Sequence, residues 1–136
     1  MNPLRIVIIE DEPVTARNLA HILLSIDTNI NIVDMLKGVN ESIAWFTLNQ
    51  TKYDLVLMDI QMPVVNGLEA AMAIRKLEGS VAEIPIIAMT AQSLNGEKND
   101  CFENGMNGYV SKPFKTADLF DTIAEVLKHR EKLSAT

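Results

Sequence analysis

The sequence predicts a three-layer α/β domain, a parallel sheet with helices on both faces, and three observations predict it. Short, β-branched and almost wholly apolar runs recur along the chain, the pattern of strands buried on both sides. Segments with apolar residues at helical spacing separate them. No linker, repeat or low-complexity stretch interrupts the alternation. Strands that alternate with helices return to the same sheet by right-handed crossovers, and such crossovers place helices on both faces.

Arg5 to Ile9 reads as the first strand and ends in acids. Pro13 stands where a first helical turn tolerates proline, and Leu19, Ile22, Leu23 and Ile26 form the apolar face of the helix it opens. Ile30 to Leu36 reads as the second strand. Asn40 to Gln50 reads as the second helix, with Asn40 as its cap and Ile43, Ala44 and Leu48 facing inward. Tyr53 to Met58 is the third strand, followed by Asp59, then Pro63 and the turn residues Asn66 and Gly67. The next helix uses Leu68, Ala71, Met72 and Ile74. Ile84 to Met89 is the fourth strand, ending in Thr90. Ser93 to Asn104 reads as a weak and mobile helix, because it holds Gly96 and few apolar residues. Gly105 closes it as a C-terminal cap, Tyr109 to Ser111 is the short fifth strand, and Thr116 to roughly Leu133 is the last helix, with Leu119, Ile123 and Leu127 inward.

Composition narrows the function. The 136 residues suit one domain, taken as residues 1–136, and the 48% apolar and 22% charged content is that of a globular chain. A net charge of -6 leaves no basic patch for a phosphate backbone, which argues against direct nucleic-acid binding. The single cysteine, Cys101, has no internal disulfide partner, and no apolar run approaches the roughly 20 residues that span a bilayer. With an amino terminus that lacks a signal-peptide pattern, this predicts a cytoplasmic protein without a membrane role.

In a sheet of this kind the functional crevice lies beyond the carboxyl ends of the strands. Polar residues stand at those ends: Glu10 and Asp11 after the first strand, Asp59 after the third, Thr90 after the fourth and Lys112 after the fifth. Acids sharing a crevice repel one another unless a cation neutralises them. Hard oxygen ligands without accompanying His or Cys favour Mg²⁺, for which Mn²⁺ can substitute. Lys112 adds a compact positive charge and Thr90 a hydroxyl donor, so the set describes a phosphoryl-binding site with Asp59 as the central nucleophile. Each residue by itself has a plainer reading. Glu10 to Glu12 would suit the amino terminus of a helix, worth about 0.3–1 kcal/mol per acid, and Lys112 alone would be a solvated lysine. The joint arrangement decides against those readings.

Four segments carry a family resemblance: Ile-Ile-Glu-Asp-Glu-Pro at 8–13, Leu-Met-Asp-Ile-Gln-Met-Pro at 57–63, Met-Thr-Ala at 89–91 and Tyr-Val-Ser-Lys-Pro-Phe at 109–114. In this order and spacing the chain resembles, from end to end, a CheY-like receiver domain of two-component response regulators. The resemblance implies a doubly wound, flavodoxin-like (βα)5 fold with strand order 2-1-3-4-5. It implies that Asp59 is phosphorylated by a histidine kinase or histidine phosphotransfer protein, and that Asp11 binds Mg²⁺ directly and Glu10 through water. The backbone carbonyl of Gln61 would complete the protein ligands. Thr90 and Lys112 would hold the phosphoryl oxygens, Ala91 would leave room for the group, and Tyr109 would be a rotameric switch acting with Thr90. The face formed by the Ser93–Asn104 helix, the Tyr109 strand and the C-terminal helix would then bind a downstream protein or a second copy of the chain. Glu10 stands where the family most often has Asp, and Asn66 where the loop commonly has Asp.

On this reading the chain is a switch and not an enzyme beyond its own phosphorylation and dephosphorylation. A receiver module of a hybrid histidine kinase fits the same motifs. An aspartyl-phosphate hydrolase fits less well, since Gln61 occupies the place of its second Asp. A flavin-binding electron carrier would need a hydroxyl- and glycine-rich loop where this chain has Glu10-Asp11-Glu12.

Overall fold

The computed structural model describes residues 4–26, 29–49, 53–59, 67–77, 83–90, 102–103, 105–111 and 115–135. In chain order these form β1 (Leu4–Ile9), α1 (Pro13–Ile26), β2 (Ile30–Leu36), α2 (Val39–Leu48), β3 (Leu55–Asp59), α3 (Gly67–Arg75), β4 (Ile86–Thr90), β5 (Gly108–Ser111) and α4 (Thr116–Ala135). All four pairings are parallel and the strand order is β2-β1-β3-β4-β5, as expected.

Strand periodicity sorts the core into two layers. On one face Val7 and Ile9, Val56 and Met58, and Ile86 and Ala88 pack with Phe46 of α2 and Ala70, Ala71 and Ile74 of α3. On the other, Ile6 and Ile8, Leu55 and Leu57, and Ile87 and Met89 pack with Ala16, Leu19 and Leu23 of α1 and with Leu119, Ile123 and Val126 of α4. β3 and β4 are buried at every residue. Full burial of each large aliphatic side chain contributes roughly 1.5–3 kcal/mol, which is why these runs contain no polar residue before their last position.

The chain leaves β1 towards β2 on one side, then crosses back to β3 on the other. The reversal therefore falls between β1 and β3, and in sheets of this kind ligands bind beyond the carboxyl ends of the strands at that point. Glu10 directly follows β1, and Asp59 is the last residue of β3.

Three local expectations are corrected. The second helix begins at Val39 with Gly38 as its N-cap, so Asn40 lies inside it and caps nothing. Its buried residues are Ser42 and Phe46, whereas Ala44 is exposed, Leu48 is 83% exposed and Ile43 is only half-buried. Its apolar residues are spread around the helix between Asn40, Glu41, Ser42 and Thr47, so its own pattern names no unique face. The ring of Phe46, which meets Trp45 and Tyr53 at 5.2 and 5.0 Å, sets the rotation. In α3 Met72 is exposed, and Ala70 and Ala71 take the sheet-facing positions, where small side chains allow close approach. In the last helix Leu119, Ile123 and Leu127 face the core as expected, and Val126 joins them there.

Most of the expected Ser93–Asn104 helix lies outside the described residues. Phe102 and Glu103 are helical and exposed. Gly105 ends that segment with φ of +89°, the left-handed conformation that a glycine cap supplies, and its N–H donates to the Phe102 carbonyl at 3.2 Å.

Candidate functional site

The site is built by strand ends. The Glu10 N–H donates to the Leu36 carbonyl at 2.9 Å, extending the β1–β2 pairing one residue past β1 and fixing the point from which the Glu10 side chain departs. That side chain is 3% exposed, and one of its oxygens accepts from the Glu12 N–H at 3.4 Å. Asp59 continues the alternation of Leu55 and Leu57, is 5% exposed, and stands opposite Met89 of β4. Thr90 is fully buried and pairs with Ser111 of β5. Tyr109 pairs with Ala88 and rests half-buried against the α2/α3 side of the core.

Glu10, Asp11 and Asp59 converge: one carboxylate oxygen from each lies within 4.8 Å of the other two. Two like charges about 4 Å apart repel by roughly 4 kcal/mol at an effective dielectric of 20. A divalent cation among them turns that repulsion into attraction. The donors are all oxygen, two of the three carboxylates are buried, and they come from two adjacent strand ends, so the set fits a hard cation such as Mg²⁺. Of the other predicted site residues, Thr90 and Tyr109 are placed on β4 and β5. Gln61, Ala91 and Lys112 lie outside the described residues. His21 is exposed on α1.

The opposite end of the sheet carries a different set of charges, which the sequence reading did not single out. Arg5 donates through its backbone N–H and its Nε to Asp54 Oδ2 at 3.0 and 3.1 Å, and through Nη2 to Oδ1 at 3.1 Å. The hydrogen bond to Asp54 raises the Arg5 pKa. Arg75, the last residue of α3, donates to backbone carbonyls of Ile84 and Gly105 and to the Asn107 side chain. Burial lowers its pKa, and the Glu83 charge opposes that shift. A basic residue at a helix end reads in sequence as a solvated charge suited to the dipole, so no local signal marked Arg75. Burial also pushes the Tyr53 hydroxyl up to about 12.

The strand order and the acids gathered at the ends of β1 and β3 define a doubly wound α/β domain with a candidate cation site at its switch point. The chain belongs to the response regulator receiver domain family, whose model matches residues 6–124. It is 33% identical over 137 residues to hybrid signal transduction histidine kinase I of Dictyostelium discoideum, an alignment that takes in 97% of this chain and 8% of that protein. Among solved structures it is similar to the receiver domain of a sensor histidine kinase from Pseudomonas aeruginosa, determined with a magnesium ion coordinated in its active-site cleft. There the identity is 32% and the TM-score 0.73, over 88% of this chain and 93% of that one. Chemotaxis protein CheY4 of Vibrio cholerae, 21% identical, shares the fold with a TM-score of 0.76 over 91% of this chain and 98% of its own. The chain is thus a receiver domain homologous to those of hybrid histidine kinases and response regulators. Among the described residues no helix is long and apolar enough to cross a membrane.

Proposed function

We propose that Asp59 accepts a phosphoryl group from a phosphohistidine of a histidine kinase or phosphotransfer protein, and that the modified chain changes what it binds. The observation that carries this reading is the buried Asp59 carboxylate at the end of β3, within 4.8 Å of the Glu10 and Asp11 carboxylates. Glu10, Asp11 and Asp59, with the backbone carbonyl of Gln61, would hold Mg²⁺, or Mn²⁺ in its place. When bound, the ion supplies the positive charge that offsets the acids and the charge of the transferring group. An Asp59 oxygen forms the O–P bond as the P–N bond to the donor imidazole breaks, and the imidazole leaves. Lys112 and Thr90 take the phosphoryl oxygens, and Ala91 leaves the group room.

A phosphorylated carboxylate brings roughly 1.5–2 negative charges, by analogy with phosphorylated hydroxyls, and three acceptor oxygens. Thr90 turns towards them and Tyr109 follows inward. The face of β5, α4 and the segment before β5 then presents a new surface to a downstream protein or a second copy. The chain catalyses only its own phosphorylation and dephosphorylation. The similarity to hybrid and sensor histidine kinases supports a second reading, in which this receiver serves within such a kinase.

Incubation with acetyl phosphate, with and without Mg²⁺, tests the chemistry when followed by intact mass and size-exclusion measurements. The expected result is a Mg²⁺-dependent gain of one phosphoryl group that Asp59→Ala abolishes. A wild-type protein that never gains that mass, or an Asp59→Ala protein that does, overturns the proposal.

A further inference from the structure

β5 is an edge strand of four residues and, among the described residues, pairs with β4 alone. So short a strand has little of its own to fix its register, and a slip of one residue would turn Tyr109 and its neighbours to the opposite face. The register is set just ahead of the strand. The Asn107 N–H donates to the Ile86 carbonyl at 2.7 Å, and the Ile86 N–H donates back to the Asn107 side-chain oxygen at 2.9 Å. That same oxygen accepts from Arg75 Nη2 at 2.8 Å. Arg75 Nε and Nη2 also reach the Gly105 carbonyl at 2.9 and 2.6 Å, and Nη1 reaches the Ile84 carbonyl at 2.7 Å.

One planar fork thus joins the end of α3, the chain entering β4 and the chain entering β5. The turn is shaped to receive it. Gly105 has φ of +89°, and a Cβ there would lie 3.0 Å from Arg75 Cγ and 3.1 Å from Nε. A role confined to the helix dipole would leave the guanidinium in water. Here its donors are directed to three named oxygens on two segments, the one entering β4 and the one entering β5.

We propose that Arg75 is a positioning residue for the site at the far end of the sheet. By holding Ile84, Gly105 and Asn107 together, it sets the β4–β5 register that places Ser111 opposite Thr90 and sends the chain on to Lys112. The inference rests on the phosphoacceptor reading for its consequence, although the clamp itself is independent of phosphoryl chemistry.

Arg75→Ala and Arg75→Lys test it together, since Lys keeps the charge and loses the fork. In both, the amides of Tyr109 and Ser111, which alternate with the Asn107 N–H on the β4 side, should exchange roughly tenfold or more faster relative to those of β1 and β3, because a set of charge-assisted hydrogen bonds is lost locally. Mg²⁺ affinity, governed by acids at the ends of β1 and β3, should stay within about twofold, as expected for distant sites. The rate of phosphorylation by acetyl phosphate at saturating Mg²⁺ should fall roughly tenfold or more, as a misplaced contact to the transferring group demands. The proposal is overturned if β5 exchange does not change, if β1, β3 and β5 loosen by the same factor, or if Mg²⁺ affinity and phosphorylation fall in step. A wild-type protein that takes no phosphoryl group defeats the reading of the site instead, and the exchange measurement alone then decides whether Arg75 sets the register.

Discussion

At the amino ends of the strands Arg5 grips both oxygens of Asp54 and Arg75 spans three segments, whereas at the carboxyl ends Glu10, Asp11 and Asp59 bring like charges within 4.8 Å of one another. Both ends belong to one sheet with one apolar interior. The amino end holds its arginines in fixed geometry, Arg5 on a carboxylate and Arg75 on neutral oxygens, and the proposed clamp sets register there. The carboxyl end gathers acids whose mutual repulsion a cation would relieve. The proposed phosphoryl chemistry uses the end where like charge is gathered, and the proposed clamp the end where each charged donor meets an acceptor.

The largest effect that should separate the two ends comes from metal. Mg²⁺ at about 100 times its Kd should stabilise the wild-type protein by about 2.7 kcal/mol in urea unfolding, and Asp11→Ala should lose most of that gain. Gly108→Ala, at the amino end of β5, should cost about 1–3 kcal/mol with or without Mg²⁺. Its new Cβ would stand 2.9 Å from Val126 Cγ2 of α4. Asp54→Ala should cost up to about 1 kcal/mol, the value of a half-exposed ion pair, and a double-mutant cycle with Asp11→Ala should show additivity. Strong coupling in that cycle would break the distinction between the ends.

The smallest effect at neutral pH belongs to Tyr53. Its hydroxyl is buried without a hydrogen-bond partner among the described residues, so Tyr53→Phe should be neutral or stabilising by less than about 1 kcal/mol. The same substitution should show in alkali. Because burial raises the Tyr53 pKa from 10.0 to about 12, the unfolded chain ionises first. The stability that the buried phenol contributes is therefore complete below pH 10 and lost as pH rises towards 12. Unfolding measured across that range should show a shallower decline in the Phe variant.

Much of the candidate site was legible because parallel strands buried on both faces appear as unbroken apolar runs, and the first polar residue after each run marks its end. Glu10, Asp59 and Thr90 were found that way, and the left-handed turn at Gly105 followed from glycine chemistry. The faces of α2 and α3 were harder to read. Apolar residues surround α2, so its pattern allowed Leu48 to point inward, while packing of Phe46 against Tyr53 turned Leu48 to solvent. Arg75 gave no sign, since its partners lie up to 32 residues away and two of the three are backbone carbonyls that no side-chain pattern announces.

Local periodicity and the position of polar residues after apolar runs determined by themselves that this is a parallel α/β sheet with acids at its strand ends. Those signals depend only on near neighbours in the chain. Tertiary structure decided which carboxylates meet, how closely, which helix residues enter the core, and how a four-residue edge strand keeps its register. Each of these depends on contacts between segments far apart in sequence, whose geometry exists only once the sheet has assembled.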